Sequence, residues 1–356
     1  MNLKRKLNHY FQNLENEELF SGVVLITRGE SCLYSSAFGY ASRPWKVRNT
    51  LDTRFDTASI TKLFTSVATL QLIDQGQFDL ETRVIDFLGL EDTSISEEVS
   101  VFHLLTHTSG IGDDSEEEDG EVYEDLWKTK PNYSVTTTAD FLPQFIHKPA
   151  NFPPGKGCRY CNCGYVLLGL MIEKVSGMSY RDYVRENIFA KAQMSHSEFL
   201  RLDRVHEDVA EGSDPIHDEA GYLIGWKKNI YSFPLIGSPD SGAYVTASDL
   251  DAFLRSVEAG RLLSPESTAA FFTPQVKYRE IDNLTMMYGY GLWFDVDESG
   301  EIVCSQKEGV NAGVSGLIRN YPALDVNVVL LSNLENGAWQ PIRDIHELLL
   351  SGEADR

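Results

Sequence analysis

The sequence predicts an α+β protein: an antiparallel sheet built from both chain ends and flanked by helices, with a mainly helical region inserted between them. Strand patterns are confined to residues 22–40 and to the last quarter of the chain. Residues from about 80 to 235 carry helical patterns and irregular loops. No internal repeat or low-complexity linker interrupts the 356 residues, so the chain reads as one domain. Within it, 1–78 and 236–356 form the sheet part and 79–235 the helical part.

Leu3, Leu7, Tyr10 and Leu14 recur at helical spacing and predict an amphipathic opening helix. GVVLITRGESCLYSSAFGY (22–40) alternates and turns at Arg28-Gly29-Glu30, the pattern of a hairpin. TASITKLFTSVATLQLIDQ (57–75) is a helix closed by Gly76. Its Ile60, Leu63, Phe64, Val67, Leu70 and Ile73 cover more than one face, so it is buried. PPGKGCRYCNCGYVLLGLMIEKVSG approaches a helix from about Gly164 to Gly177. Further helices follow at Tyr180–Phe189 and from Asp249. YGYGLWFDVD, EIVCSQKEG, SGLIRNYP and VNVVLLSN are the returning strands, with turns at Glu298-Ser299-Gly300 and Pro322-Ala323 and a closing helix after Pro341.

Acidic residues outnumber basic ones 53 to 31, and the formal net charge of -22 repels phosphate backbones and anionic headgroups. Nucleic acid and membrane-surface partners are therefore not expected. The N-terminal basic residues precede no apolar core, and no run reaches membrane-spanning length, so the expected location is cytoplasmic. Five cysteines, an odd number, point to thiols rather than a disulfide framework. Nine acidic residues fall between Asp113 and Asp125 with no basic one, the composition of a solvated loop.

Chemistry is concentrated in three places. Ser59-Ile60-Thr61-Lys62 lies in the first turn of the buried helix, where residues three apart share a face and the Lys62 amine reaches the Ser59 hydroxyl. A serine is a poor nucleophile until a base takes its proton, and a desolvated lysine can be that base. Tyr160-Cys161-Asn162 supplies a phenol able to shuttle a proton and an amide able to orient a carbonyl. Lys307-Glu308-Gly309, in a late strand, offers a cation and close backbone approach. Each triplet alone is ordinary. Their order and contexts together match the Ser-x-x-Lys, polar triplet and Lys-Thr-Gly set of active-site serine enzymes.

With these residues the chain resembles the class C β-lactamase-like and penicillin-binding-protein-like serine hydrolases, which include esterases and D-amino-acid peptidases. FDTASITKLFTSVATLQLIDQG, HLLTHTSGI (103–111), SGAYVTASDLDAF and KEGVNAGVSGLIRNYP also carry the resemblance, which runs from GVVLITRGE to VVLLSN. It implies a β-lactamase/transpeptidase-like fold and Ser59 as nucleophile, Lys62 as its partner and Tyr160 as acid/base. Asn162 would contact substrate, Lys307 would be the strand lysine, and the N–H groups of Ser59 and of Val310, after Gly309, would form the oxyanion hole. The expected substrate is a small molecule or peptide: a β-lactam, a D-amino-acid peptide or a small ester. No cofactor or metal is required. The order of proton transfer between Lys62 and Tyr160, and the oligomeric state, stay open.

Two departures bear on specificity. Cys161 stands where serine or alanine is common, and Glu308 where threonine is usual. If Glu308 faces the pocket it repels a substrate carboxylate, and the acidic run at 113–125 acts the same way; both favour neutral or cationic esters and amides. An alternative is a penicillin-binding protein that acylates with little turnover. A thiolate metal module of Cys158, Cys161, Cys163 and Cys304 is a further, non-enzymatic alternative. His103 and His107 lack the glutamate of a His-Glu-x-x-His site and read as packing and hydrogen-bonding groups. Trp226, Tyr244, Tyr288 and Trp293 are aromatic candidates for the pocket wall. The absence of Gly-x-Ser-x-Gly disfavours an α/β-hydrolase.

Overall fold

Val23-Val24-Leu25-Ile26 is apolar at every position, which a strand tolerates only when both faces of its sheet are covered. That is its situation in the computed structural model, which describes residues 3–352. Strands β1 (Gly22–Arg28), β2 (Ser31–Phe38), β3 (Val276–Ile281), β4 (Leu284–Tyr288), β5 (Trp293–Val296), β6 (Ile302–Asn311), β7 (Val314–Tyr321) and β8 (Val326–Ser332) form one sheet. Its order is β2-β1-β8-β7-β6-β5-β4-β3, antiparallel throughout. Both chain ends thus meet at the β1–β8 pair, and no strand between residues 39 and 275 enters this sheet.

One face is covered by the terminal helices α1 (Leu3–Asn16) and α5 (Trp339–Leu350), which pack Leu7, Phe11, Leu14, Ile342 and Ile345 against Val24, Ile26, Val328 and Leu330. Leu3 and Tyr10 lie only at its margin; Phe11, fully buried, anchors α1 against Phe20 and Phe38. The other face carries Val23, Leu25, Val329 and Leu331 into the larger core with α2 (Lys62–Asp74), α3 (Asn162–Ser176) and α4 (Ala247–Glu258). The helix predicted over 57–75 begins as a 3-10 turn, Ala58–Thr61, and becomes α-helical at Lys62. Gly76 follows it at φ 68, the left-handed conformation that glycine adopts without steric cost.

Three expectations need correcting. The hairpin β3–β4 was not foreseen because β3 is largely polar and exposed, while β4, Leu-Thr-Met-Met-Tyr, is half-buried to buried without alternating polar and apolar residues. Tyr288 ends β4, and Gly289-Tyr290-Gly291 is a turn into β5 rather than the start of a strand. Gly291 there has φ 94 and lies so close to Ser66 that a Cβ would meet its Oγ at 2.5 Å. The closing helix starts at Trp339, with Pro341 inside its first turn, where a missing N–H costs nothing.

Candidate active site

The Ser59 turn is held from both sides. Ala58 adopts φ 42, unfavourable for a residue with a Cβ, and its N–H donates to Asp56 Oδ1 at 2.7 Å. Gly309 of β6 lies against the same turn: a Cβ there would sit 2.1 Å from the Thr57 carbonyl oxygen and 2.9 Å from Ser59 N. Ser59 is thereby presented at the mouth of a cavity of about 260 Å³, with Lys62 buried beneath it.

Lys62 Nζ lies 3.0 Å from Ser59 Oγ, 2.8 Å from Asn162 Oδ1 and 2.8 Å from the Asp240 carbonyl oxygen. Asn162 is oriented in turn, since its Nδ2 donates to Asp113 Oδ2 at 3.3 Å. Two of the three groups around Nζ therefore only accept. A neutral amine would spend both hydrogens on them and leave its lone pair facing the serine hydroxyl. Burial lowers the Lys62 pKa, while Asp240, Asp113 and Glu117 act against that lowering.

The Tyr160 ring lies between two lysines, with Lys62 Nζ 4.9 Å and Lys307 Nζ 4.7 Å from its centroid, and Lys307 Nζ donates to its hydroxyl at 3.4 Å. Burial pushes the Tyr160 pKa well up, and the neighbouring Ser59 hydroxyl pulls it only partly back. The phenol is therefore the resting form, not a phenolate. Lys307, buried and repelled by Lys62, is pushed well down. Strand β5 pairs with β6 only as far as Gln306, so Lys307–Asn311 present an open strand edge, with Gly309 and Val310 lining the cavity. All seven residues named from the sequence thus lie together.

Glu308 adjoins the cavity, but its cross-strand partner Leu317 lies on the terminal-helix face of the sheet and that of Lys307, Ile318, on the other, so alternation turns the Glu308 side chain away from Lys307. The acidic run is no simple solvated loop. Asp113, Asp114 and Ser115 are buried, and Asp113 accepts the Asn162 and Cys163 N–H groups at 2.9 Å each, capping α3 from another segment. Glu118 accepts from the Tyr160 N–H and the Tyr278 hydroxyl, both at 3.1 Å, tying this segment to Tyr160 and to β3. Asp240, Ser241, Tyr123, Tyr278 and Arg279 complete walls that sequence reading missed. The Asp240 contact is made by a backbone carbonyl, which has no sequence signature, and Ser241 follows it in the same loop; Tyr123 belongs to the run read as solvated, Tyr278 and Arg279 to the hairpin not foreseen.

Tyr288 and Trp293 line the cavity, but Trp226 packs under Arg43 and Tyr244 faces away into the β-bridge with Asp56. The cysteines do not converge. Cys304 lies on the far face of the sheet against Asp295, whereas Cys161 and Cys163 pack near Asp113 in the larger core. Burial pushes the Cys161 and Cys163 thiols well up, opposite to what a thiolate site needs. His103 Nδ1 accepts the Ser100 N–H at the start of a short helix, and His107 Nδ1 accepts the Cys161 N–H, both at 3.1 Å.

The fold and sequence have known counterparts. The penicillin-binding protein from Bacillus halodurans superposes with a TM-score of 0.86 at 36% identity, over 94% of this chain and 99% of that one. The octameric penicillin-binding protein homologue from Pyrococcus abyssi does so at 0.81 and 28%, over 97% and 77%. Penicillin-binding protein 4* of Bacillus subtilis is 28% identical over 94% of this chain and 72% of its own length. The profile of the Beta-lactamase family matches residues 7–353, and the chain belongs to that family of serine hydrolases.

Proposed function

We propose that the protein hydrolyses an ester or amide through an acyl-enzyme on Ser59, with Lys62 as the base and Tyr160 as the acid. The observation that carries this reading is the set of acceptors around Lys62 Nζ, which directs the lone pair of a neutral amine at Ser59 Oγ. Ser59 Oγ attacks the carbonyl carbon as its proton passes to Lys62. The oxyanion forms beside the Ser59 and Val310 N–H groups, and Tyr160 gives its proton to the leaving group as the carbonyl re-forms. Lys62 returns a proton to the phenolate, so the acyl-enzyme stands with both groups reset. Water then attacks, losing its proton to Lys62, which passes it to Ser59 Oγ as the acid is released and the free enzyme re-forms. The open edge of Lys307–Asn311 suits an extended or planar acyl group laid along β6. Relatives that are penicillin-binding proteins by name place β-lactams among the substrates to test, and the D-amino acid amidase of Ochrobactrum anthropi, alike in fold, adds D-amino-acid amides beside simple esters.

The test is the pH dependence of kcat/KM for an activated ester. Lys62 must be neutral, so activity falls as pH drops through its pKa, and burial places that limb below the ordinary lysine value of about 10.4. Tyr160 must keep its proton, so its limb lies above the ordinary tyrosine value of about 10. Lys62→Ala and Tyr160→Phe should each lower kcat/KM by about 10²–10⁴, the usual worth of a positioned acid or base. A profile unchanged by Lys62→Ala would contradict the assignment.

A further inference from the structure

Two carboxylates next to the catalytic lysine lack a cation. Glu117 makes no hydrogen bond or ion pair through its side chain among the described residues, although it lines the cavity. Asp240 is buried and lines the same wall; one of its oxygens accepts from Ser238 Oγ at 2.6 Å, and no other side-chain contact is made among the described residues. Lys62 is in contact with neither group and acts on them only through its field, because its three hydrogen bonds go to Ser59, Asn162 and a backbone carbonyl. Tyr123 lines the same cavity, and its hydroxyl is buried without a hydrogen-bond partner among the described residues. Burial, together with the charges of Asp114 and Asp240 that act on it, holds its proton in place. A buried hydroxyl left unpaired is costly, and here it lies beside unpaired carboxylates in a substrate-sized space.

We propose that Glu117, Asp240 and the Tyr123 hydroxyl form a cation subsite, and that the ester or amide hydrolysed here carries an ammonium group. This rests on the hydrolase reading above and adds the substrate class to it. An ammonium donates to both carboxylates and to the Tyr123 oxygen, matching three donors to three acceptors. The aromatic walls of Tyr278, Tyr288 and Trp293 cover its carbon chain. Glu308 is not part of the subsite, because Lys307, Arg319 and Arg279 already act on it. The arrangement also answers a physical difficulty. Glu117 and Asp240 hold a proton on Lys62, against its use as a base, and a bound cation relieves that field when the nucleophile is needed.

The test compares para-nitrophenyl esters whose acyl chains match in length and end in ammonium, methyl or carboxylate, each over a ladder of lengths. The expected order in kcat/KM is ammonium, then methyl, then carboxylate, with a preference for ammonium over methyl of about tenfold or more, the scale of one charge-assisted contact. Glu117→Gln should collapse that ratio toward one, whereas Glu266→Gln, exposed on a distant helix, should leave the ratio unchanged. A preference for methyl or carboxylate, or an ammonium preference untouched by Glu117→Gln, overturns the subsite. Loss of hydrolysis of all three esters, or hydrolysis that survives Ser59→Ala, would instead count against the hydrolase reading.

Discussion

Asp56, three residues before the nucleophile, shows how a single buried group tunes the site. Its Oδ1 holds the Ala58 N–H, while Oδ2 is buried without a partner among the described residues. Burial raises its pKa from 3.8 to about 6. The folded state therefore binds this proton more tightly than the unfolded chain, and stability is lost as pH rises from the ordinary carboxylate range through about 6. Asp56→Asn keeps the acceptor for Ala58 and removes the buried charge. Its new amide hydrogens face a small cavity shared with the unpaired Asn333 Oδ1. Urea unfolding should find the variant more stable by about 2 kcal/mol near neutral pH, with the gap closing toward pH 4. A gap independent of pH would show that Asp56 is not the titrating group. At this scale the contact between Ser59 and Lys62 was legible, because residues three apart share a helical turn, whereas the approach of Tyr160 and Lys307 to them followed from the resemblance and not from spacing. Asp240 was not legible, since a carbonyl donated by a loop depends on backbone path alone.

At the scale of elements, the site is the meeting of one 3-10 turn, one strand edge and one helix start. Strand β6 ends its pairing with β5 at Gln306, and the next five residues are the edge along which substrate would lie. Gly309 is where this edge touches the nucleophile turn, so its lack of a side chain has a steric reason. Gly309→Ala should force strand and turn apart and lower kcat/KM by about 100-fold, the scale of a displacement near 1 Å at a reacting centre. Near-normal kcat/KM in that variant would mean that the contact is slack. The strands β1, β6, β7 and β8 and the buried helix α2 were readable from their apolar runs. The hairpin β3–β4 was not, because β3 is exposed and mostly polar and β4 carries adjacent methionines that break a period of two. Its misreading also hid Tyr278 and Arg279 from the cavity wall. The acidic segment was misread for the opposite reason: composition suggested solvent, whereas Asp113 is recruited to cap α3.

At the scale of the whole molecule, a sheet covered on both faces fixes the Ser59 turn and β6 relative to each other. Sequence pattern predicted that architecture because both chain ends carry strands buried on both sides. The net charge of -22 adds a negative field over the whole surface to that of the acidic residues lining the cavity near Lys62. Among the described residues no helix is long and apolar enough to cross a membrane. The central claim, covalent catalysis on Ser59, is tested most directly by intact mass spectrometry of wild type and Ser59→Ala after exposure to an activated ester and to a penicillin. The account predicts an adduct with the mass of one acyl group on wild type, transient for the ester, and none on Ser59→Ala. An adduct of equal yield on both proteins, or ester turnover that persists in Ser59→Ala, would contradict it.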